Sequence, residues 1–441
     1  MTLLRRSLGL LAALSLTAGL AGVMASRADA GPSGETRFPA GATATRFSGQ
    51  AFDVCAAPSL AAMRAWKSAS PYGAIGVYIS GDLRACRQEN LTASWVREVT
   101  ALGWKLIPID VGLQAPCTSF SGRISDKGST ARRQGERAGA ASVEAAKSLG
   151  ILPGSALYSD IENYDNRDEK CSADVHAYLN GWTRALHGEG YLSGVYGNLG
   201  TVVRDMVKAQ RAANAGTRPQ GPIRPDVLWN AQWDSTPTAW AGIEAYLWAA
   251  HQRIKQYRGD HRETHGGVTL NIDSNTVDAA VATVARSVSA PSGVEFAGRV
   301  APSGQAAARA VPAGAQQLVC TANSFAASGR WVQTAAGAWL PGAVFTEPAA
   351  QSAIGSMPTC STPFQVVPGV MPLRSEPDEN GSAPGGLAGG TLAWVVCERA
   401  GTMGGRAGYW LRLETGQWIA GDHLTRADRY GDAEAISACP S

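Results

Sequence analysis

The sequence predicts an α/β protein: a (β/α)8 TIM-like barrel followed by two small all-β modules. Three observations lead to this prediction. Strand-like and helix-like segments alternate from residue 48 to about residue 285, acidic and polar residues recur where the strands end, and the chain after Ser287 contains an internal repeat. Alternating β and α segments indicate a parallel sheet, and eight repeats over about 240 residues are typical of a barrel.

The first thirty residues are predicted to be a secretory signal peptide. Arg5 and Arg6 precede the uncharged run 7–23, and Ala28-Asp29-Ala30 supplies a small-x-small cleavage site. A twin-arginine signal is the alternative for the arginine pair. Residues 31–47 are expected to be a flexible leader. No later run approaches the ~20 apolar residues of a membrane span, so we expect no transmembrane segment after cleavage and a secreted, extracellular or cell-wall associated protein.

The barrel is predicted over residues 48–286. Its strands are expected at 50–54, 75–79, 105–110, 156–161, 193–196, 227–232, 253–257 and 268–272, and its helices at 60–67, 92–102, 130–149, 173–187 and 202–213. The helix signal is poor between strands six and seven. A doubly wound open sheet would give a similar pattern. The polar residues at the strand ends favour the barrel, because barrel active sites lie at that face.

The eight cysteines divide evenly between the two parts of the chain. The first four follow strands one to four, and Cys55–Cys86 with Cys117–Cys171 is the simplest pairing of the three that four cysteines allow. The last four fall into the pairs Cys320 with Cys360 and Cys397 with Cys439, one pair in each copy of the repeat. An exported protein meets an oxidising compartment, so we expect these cysteines to be paired.

The internal repeat lies after a linker predicted at 287–293. Trp331, Gly337, Trp339 and Gly342 correspond to Trp410, Gly416, Trp418 and Gly421 at a constant offset. We predict one module over 294–361 and another over 362–441. They resemble bacterial SH3-like domains of secreted cell-wall proteins, which implies attachment to the cell wall through wall peptides or glycans. The alternative is that they are spacers.

The segment with the strongest chemical signal is 158–165, Tyr-Ser-Asp-Ile-Glu-Asn-Tyr-Asp. Asp160 and Glu162 point to the same side of a strand, because side chains alternate with a period of two. Like charges held close disfavour double ionisation, so one pKa should rise, as acid/base glycoside hydrolysis requires. The alternative is structural: the two acids cap the next helix and pair with Arg167 or Lys170.

Five segments together resemble a family of secreted actinobacterial glycoside hydrolase-like domains, distantly similar to family 25 lysozymes. They are Phe52-Asp53-Val54-Cys55, residues 158–165, Trp229 to Asp234, Gln256-Tyr257 and Ile272-Asp273-Ser274-Asn275. The resemblance implies that Glu162 is the general acid, that Asp160 assists at the anomeric carbon, and that Asp53 and Asp273 complete the cluster. Cys55 and Lys255 depart from the lysozyme pattern, and Asp-Ser-Asn is also an ordinary turn sequence.

Aromatic and amide side chains at the same strand ends are the candidate substrate-binding residues: Tyr164, Tyr196, Trp229, Gln232, Trp233, Gln256 and Tyr257. Asp110 and Asp234 are expected to be structural. His261-x-Glu263-x-His265 matches no established zinc spacing and is expected in a solvated loop. We therefore predict no metal and no cofactor.

The function expected from these residues is carboxylate acid/base hydrolysis of a cell-wall or extracellular glycan such as peptidoglycan. The alternative is a carbohydrate- or wall-binding protein without catalysis, using the same cleft, and a weaker one is a structural wall protein. A net charge of +3 does not indicate a nucleic-acid binder.

Overall fold

The computed structural model describes residues 45–215, 224–238, 240, 243–244, 246–248, 251–289, 296–299, 302, 308–323, 330–358, 360, 362–366, 369–389, 392–413, 415–423 and 439. The predicted signal peptide and most of the predicted leader lie outside these residues. Residues 45–47 belong to the first strand, so the leader prediction was wrong there. Among the described residues, no helix has the length and apolar character needed to cross a membrane.

Eight strands close into a barrel, at the eight predicted places. They are β1 (Thr45–Asp53), β2 (Ala74–Ser80), β3 (Lys105–Asp110), β5 (Ala156–Asp160), β6 (Leu192–Asn198), β7 (Val227–Ala231), β8 (Gln252–His265) and β9 (Val268–Val281). Outside the barrel, β4 (Ile151–Leu152) pairs with β10 (Thr283–Val284).

Five helices alternate with the barrel strands: α1 (Leu60–Ala69), α2 (Ala93–Ala101), α3 (Gly128–Ser148), α4 (Glu169–Gly188) and α5 (Val202–Asn214). Side-chain caps mark the start of three of them. Ser59 accepts from the Ala62 amide, Thr92 from the Trp95 amide, and Asp168 from the Lys170 and Cys171 amides. These bonds satisfy amide groups that have no partner within the first turn of a helix.

The last strand corrects the predicted (β/α)8 arrangement. Neighbouring strands from β1 to β8 pair in parallel, but β9 is antiparallel to both β8 and β1. A Gly266-Gly267 turn joins β8 to β9, and the outer part of this hairpin packs on α1, where Trp66 Nε1 donates to the Val268 carbonyl at 2.9 Å. A hairpin can turn in two residues, whereas a parallel crossover needs a dozen or more. His261, Glu263 and His265 therefore lie in a strand, and the loop prediction was wrong.

Side chains alternate along the barrel strands, so every second residue points inward. The lower interior is apolar and includes Ile109, Tyr158, Trp229, Ile254 and Val277. Large rings fit because glycines face them: a Cβ on Gly194 would lie 2.3 Å from the Tyr158 ring. The inward positions at the carboxyl ends of β1 and β5 are acidic, which makes this end of the barrel the polar one.

The described residues after the barrel form small β sheets and one short α-helix. One contains β11 (Arg286–Val288), β12 (Phe296–Arg299), β13 (Ala308–Val311), β14 (Gln316–Asn323), β15 (Arg330–Thr334) and β16 (Trp339–Pro341), and is followed by α6 (Pro348–Gly355). The other strands are β17 (Thr362–Gln365), β18 (Val370–Leu373), β19 (Gly385–Ala388), β20 (Leu392–Met403), β21 (Arg406–Leu413) and β22 (Trp418–Ala420). Because β11 pairs with β14, the linker predicted at 287–293 begins within a strand.

The internal repeat has a structural counterpart. Trp331 pairs with Pro341 in the β15–β16 hairpin, and Trp410 pairs with Ala420 in the β21–β22 hairpin. Gly337 and Gly416 hold positive φ angles of 78° and 85° in the two turns, a region that favours glycine. A short 3-10 helix follows each hairpin, at Gly342–Val344 and Gly421–His423. The predicted pairing of the cysteines is confirmed: Cys55–Cys86, Cys117–Cys171, Cys320–Cys360 and Cys397–Cys439 are disulfides.

Candidate active site

The site begins where β1 and β9 meet. Asp53 and Asp273 are directly opposite each other in the antiparallel pair, and both side chains point to the polar end of the barrel. Gln256 Nε2 donates to Asp53 Oδ2 at 3.0 Å and to Asp273 Oδ2 at 3.2 Å. Asn275 Nδ2 also donates to Asp53 Oδ2, at 2.7 Å. One amide thus joins two carboxyl groups that would otherwise repel each other.

The orientation of these amides is fixed by further bonds. Tyr196 OH and Trp233 Nε1 donate to Gln256 Oε1 at 3.0 and 2.8 Å, which leaves the Gln256 nitrogen to face the acids. Trp229 Nε1 donates to Asn275 Oδ1 at 2.8 Å in the same way. These aromatic side chains therefore position the site through amide groups.

The buried position of Asp53 decides its protonation. Burial, followed by the nearby charge of Asp273, raises the pKa of Asp53 to about 7, although the Gln256 and Asn275 hydrogen bonds act in the opposite direction. Burial also raises the pKa of Asp273, which is only half-buried and accepts the Asp260 amide. Asp53 is thus the more deeply buried member of this pair, and Asp273 is the better hydrated one.

A second pair of acids comes from the end of β5. Asp160 is buried, and its Oδ1 atom has no hydrogen-bond partner among the described residues. Glu162 lies two residues further and keeps an exposed side chain in the mouth of the cleft. Burial, then the charges of Glu162 and Asp53, raise the pKa of Asp160 well above its usual range. Desolvation by the surrounding cleft raises the pKa of Glu162.

Gln114 holds the backbone that carries this second pair. Its Nε2 donates to the Asp160 carbonyl at 2.9 Å, and its Oε1 accepts from the Glu162 amide at 2.7 Å. The buried side chain thus continues the strand pairing past the end of β5 and keeps both carboxyl groups on one side. The alternative in which these acids cap α4 is contradicted, because Asp168 is the cap, Arg167 pairs with Asp165 and Lys170 pairs with Asp174.

All four acids line one open cleft of about 590 Å³. Two exposed aromatic side chains form part of its wall: Trp233 is 60% exposed and Phe120 is 41% exposed. Trp233 lies against Gly259, where a Cβ would come within 1.9 Å of the ring. The Cys55–Cys86 disulfide also borders the cleft. Within the described part of the chain, no group of three or more side chains is arranged to hold a metal ion.

Several predicted substrate-binding residues do not line this cleft. Trp229 is fully buried in the barrel interior, and Tyr196 and Gln256 lie beneath the acids inside the barrel. The backbone amide of Gln232 donates to the backbone carbonyl of Gln256. Tyr164 is buried and donates to Asp205 Oδ2 at 2.7 Å, beside α5.

Tyr257 is also outside the cleft. It follows the inward-facing Gln256, so it points outward and donates to Gln50 Oε1 at 3.0 Å. Of the seven predicted substrate-binding residues, Trp233 is the one in the cleft wall. The two acids expected to be structural also lie outside it: Ser80 and Ser142 donate to Asp110, and Lys255 donates to both oxygens of Asp234.

Three residues of the site were missed in the sequence. Tyr78 lines the cleft, and burial followed by the charge of Asp53 raises the pKa of its phenol, which therefore remains a hydrogen-bond donor. Tyr78 follows the inward-facing Gly76 by two residues, so the alternation of side chains along the strand could have predicted that Tyr78 points inward. Asn275 carried the same signal, two residues after Asp273. Gln114 lies in a loop and carried none.

Comparison with known proteins places this site in a family context. Residues 64–277 match the family model described as the Rv2525c-like, glycoside hydrolase-like domain. No curated protein matches the chain significantly.

Solved structures with a similar fold include an uncharacterised B. stearothermophilus protein, with 18% identity and a TM-score of 0.35 over 52% of this chain and 99% of that one. The Tat-secreted Mycobacterium tuberculosis protein Rv2525c has 17% identity and a TM-score of 0.34, over 52% and 95%. A muramidase from Acremonium alcalophilum has 14% identity and a TM-score of 0.32, over 52% and 92%. The part of the chain that is similar to the Rv2525c-like, glycoside hydrolase-like family model begins within α1 and ends within β9, so it includes most of the barrel.

Proposed function

We propose that the protein is a secreted glycoside hydrolase that cleaves a cell-wall or extracellular glycan. The observation that carries this proposal is the convergence of Asp53, Asp160, Glu162 and Asp273 in one cleft that is open to solvent. Glycoside hydrolysis needs one carboxyl group that holds a proton near neutral pH and another that is ionised. The raised pKa values and the unpartnered Asp160 oxygen fit this need.

In this proposal Glu162 is the general acid. Its side chain is exposed to the cleft, so it can reach the leaving oxygen, and its raised pKa favours the protonated form. Asp160 is buried beside it, its Oδ1 atom has no hydrogen-bond partner among the described residues, and it assists the reaction at the anomeric carbon. Asp273 stabilises developing positive charge, and Asp53 donates or accepts a hydrogen bond according to its protonation.

The substrate class follows from the walls of the cleft and from the rest of the chain. Trp233 and Phe120 offer exposed ring faces against which sugar rings can pack. Four disulfides and the signal-peptide pattern fit an extracellular glycan. The C-terminal modules then attach the protein to the wall.

The first test is the Glu162→Gln variant, assayed with purified peptidoglycan and with soluble α- and β-glucans. We expect wild type to release reducing ends from one of these polymers. Loss of the acid should lower the rate by about 10²- to 10⁴-fold with binding retained. Asp165→Asn is the matched control, because Asp165 lies in the same loop but pairs with Arg167 outside the cleft, and it should keep the wild-type rate.

The competing function is a non-catalytic carbohydrate-binding protein that uses the same cleft. It would be supported by tight glycan binding that is the same in wild type and Glu162→Gln, without reducing-end release by either. A rate that is equal in the two proteins would also exclude Glu162 as the acid.

A further inference from the structure

The cleft continues beyond the four carboxyl groups. Arg84, Ala85 and Cys86 line it and also line a second cavity of about 440 Å³. The second cavity is formed by residues 81–88, in the loop between β2 and α2. Because the two cavities share these walls, a ligand longer than one sugar ring can extend from the acids into the second cavity.

The charge of the lining changes sign between the two cavities. The first is lined by Asp53, Asp160, Glu162, Asp260 and Asp273, and Arg84 is the one basic residue among the described residues of its lining. The second is lined by Arg84 and Arg87 together with Asp82. A ligand that occupies both cavities therefore meets carboxyl groups at one end and guanidinium groups at the other.

The loop that carries Arg84 is held in place at several points. Arg84 Nε donates to the Gly81 carbonyl at 3.0 Å, and the Leu83 amide donates to the Val111 carbonyl at 3.1 Å. Gly81 has a φ of 96°, and a Cβ there would lie 2.2 Å from the Val111 oxygen, so the close approach requires glycine. The Cys86–Cys55 disulfide fixes the far end of the loop. The guanidinium is thus presented by a constrained backbone.

Arg84 forms no ion pair within the described structure; burial raises the pKa of Asp110, and the charge of Arg84 is among the influences that oppose this rise. Its side chain is exposed, and its hydrogen bond to the Gly81 carbonyl uses Nε and not the two terminal nitrogens. It does not neutralise the cleft acids either, since Asp53, Asp160, Glu162 and Asp273 all keep raised pKa values. A guanidinium with both terminal nitrogens available matches the paired oxygens of a carboxylate or phosphate.

We propose that Arg84 binds an anionic substituent of the glycan, a carboxylate or a phosphate carried on a sugar next to the one at the acids. This inference rests on the proposed function only in assuming that a glycan occupies the cleft. Acid/base hydrolysis alone does not require an anionic substituent on the substrate.

The test compares three oligosaccharides that differ in charge: neutral chitotetraose, its carboxymethyl ether and its phosphate ester. Binding is measured by calorimetry in the Glu162→Gln background, so that turnover does not consume the ligand. We expect one or both anionic oligosaccharides to bind about 5- to 20-fold more tightly than the neutral one, and the preference to shrink as salt rises. The two anionic arms distinguish a carboxylate from a phosphate.

Arg84→Gln should remove the preference, and Arg84→Lys should keep part of it. Arg123→Gln is the control, because Arg123 is an exposed arginine of the next loop that lines neither cavity, and the preference should be unchanged. Equal binding of all three oligosaccharides, no binding of any, or a preference that survives Arg84→Gln would overturn the proposal. If the anionic oligosaccharides bind more tightly but wild type hydrolyses no glycan, this inference stands and the proposed hydrolase function fails. If wild type hydrolyses a glycan but binds all three oligosaccharides equally, the hydrolase function stands and this inference fails.

Discussion

At the scale of single residues, the site holds carboxyl groups close together in a buried position, where their ionisation is unfavourable. Asp53 is buried directly opposite Asp273, and two amide donors do not cancel the cost of an ionised carboxylate there. A pKa of about 7 in the folded protein, against about 3.9 in an unfolded chain, means that folding favours protonated Asp53. The contribution of Asp53 to stability is therefore full below about pH 4 and declines as the pH rises towards 7.

Replacement of Asp53 by Asn should remove this decline. The difference in unfolding free energy between Asp53→Asn and wild type should move in favour of the variant from pH 4.5 to pH 7.5, by up to about 3 kcal/mol. Urea unfolding at the two pH values measures it. A difference that does not change with pH would show that Asp53 titrates alike in folded and unfolded protein.

The sequence could place the acids because strand alternation needs only local information. Asp160 with Glu162, and Asp53 at the end of β1, point to the cleft as predicted. Alternation shows which side chains point inward but not how far below the cleft they lie. For this reason Trp229 was predicted to bind substrate although it fills the barrel interior. Gln114 acts through a contact between loop and strand that no local pattern encodes.

At the scale of secondary-structure elements, α3 and α4 approach each other closely at two glycines. A Cβ on Gly135 would lie 1.9 Å from the Tyr178 carbonyl oxygen, and a Cβ on Gly181 would lie 2.0 Å from the Arg132 carbonyl oxygen. Backbone meets backbone at both points, so neither neighbour can rotate away. On the barrel, α3 packs against β2, and α4 packs against β5 and β6.

Gly135→Ala and Gly181→Ala should therefore each lower the free energy of unfolding by about 1–3 kcal/mol. Thermal unfolding followed by circular dichroism measures the loss. Gly188→Ala is the matched control: the same substitution at the end of α4 meets no atom within 4 Å, and alanine favours helix over glycine. If all three variants melt alike, the helix crossing is not as tight as the structure has it.

The strands and helices of the barrel were predictable, because each carries its own apolar pattern and several carry their own cap. The direction of β9 was not predictable in this way. The side chains of a parallel strand that follows a helix alternate in the same way as those of an antiparallel strand that follows a tight turn. Only the pairing of β9 with β1 and β8 shows which of the two it is. Gly266-Gly267 was the one local sign of a hairpin.

At the scale of the whole molecule, described residues of the predicted second module (362–441) pack in the same apolar cluster as the barrel. One cluster of buried apolar side chains contains barrel residues such as Ile254 and Val281 and module residues such as Leu373 and Leu411. Gln210 Nε2 of α5 also donates to the Gly389 carbonyl at 2.7 Å. The module therefore contributes to the stability of the barrel in addition to any role at the wall.

Removal of residues 362–441 should lower the melting temperature of the remaining chain and increase its binding of a hydrophobic dye, because apolar barrel surface becomes exposed. Differential scanning calorimetry of the full and shortened proteins measures the change. A barrel transition at the same temperature in both would show that the module is energetically independent.

The antiparallel last strand also sets where the chain leaves the barrel. In a barrel of eight parallel strands, the first strand enters at one end and the last leaves at the other, which is the end that holds the acids. Here Val281 pairs with Thr45, so entry and exit lie side by side at the end away from the cleft. The chain that continues after β9 therefore starts at the end of the barrel opposite the acids, and it need not pass over the opening of the cleft to leave the barrel.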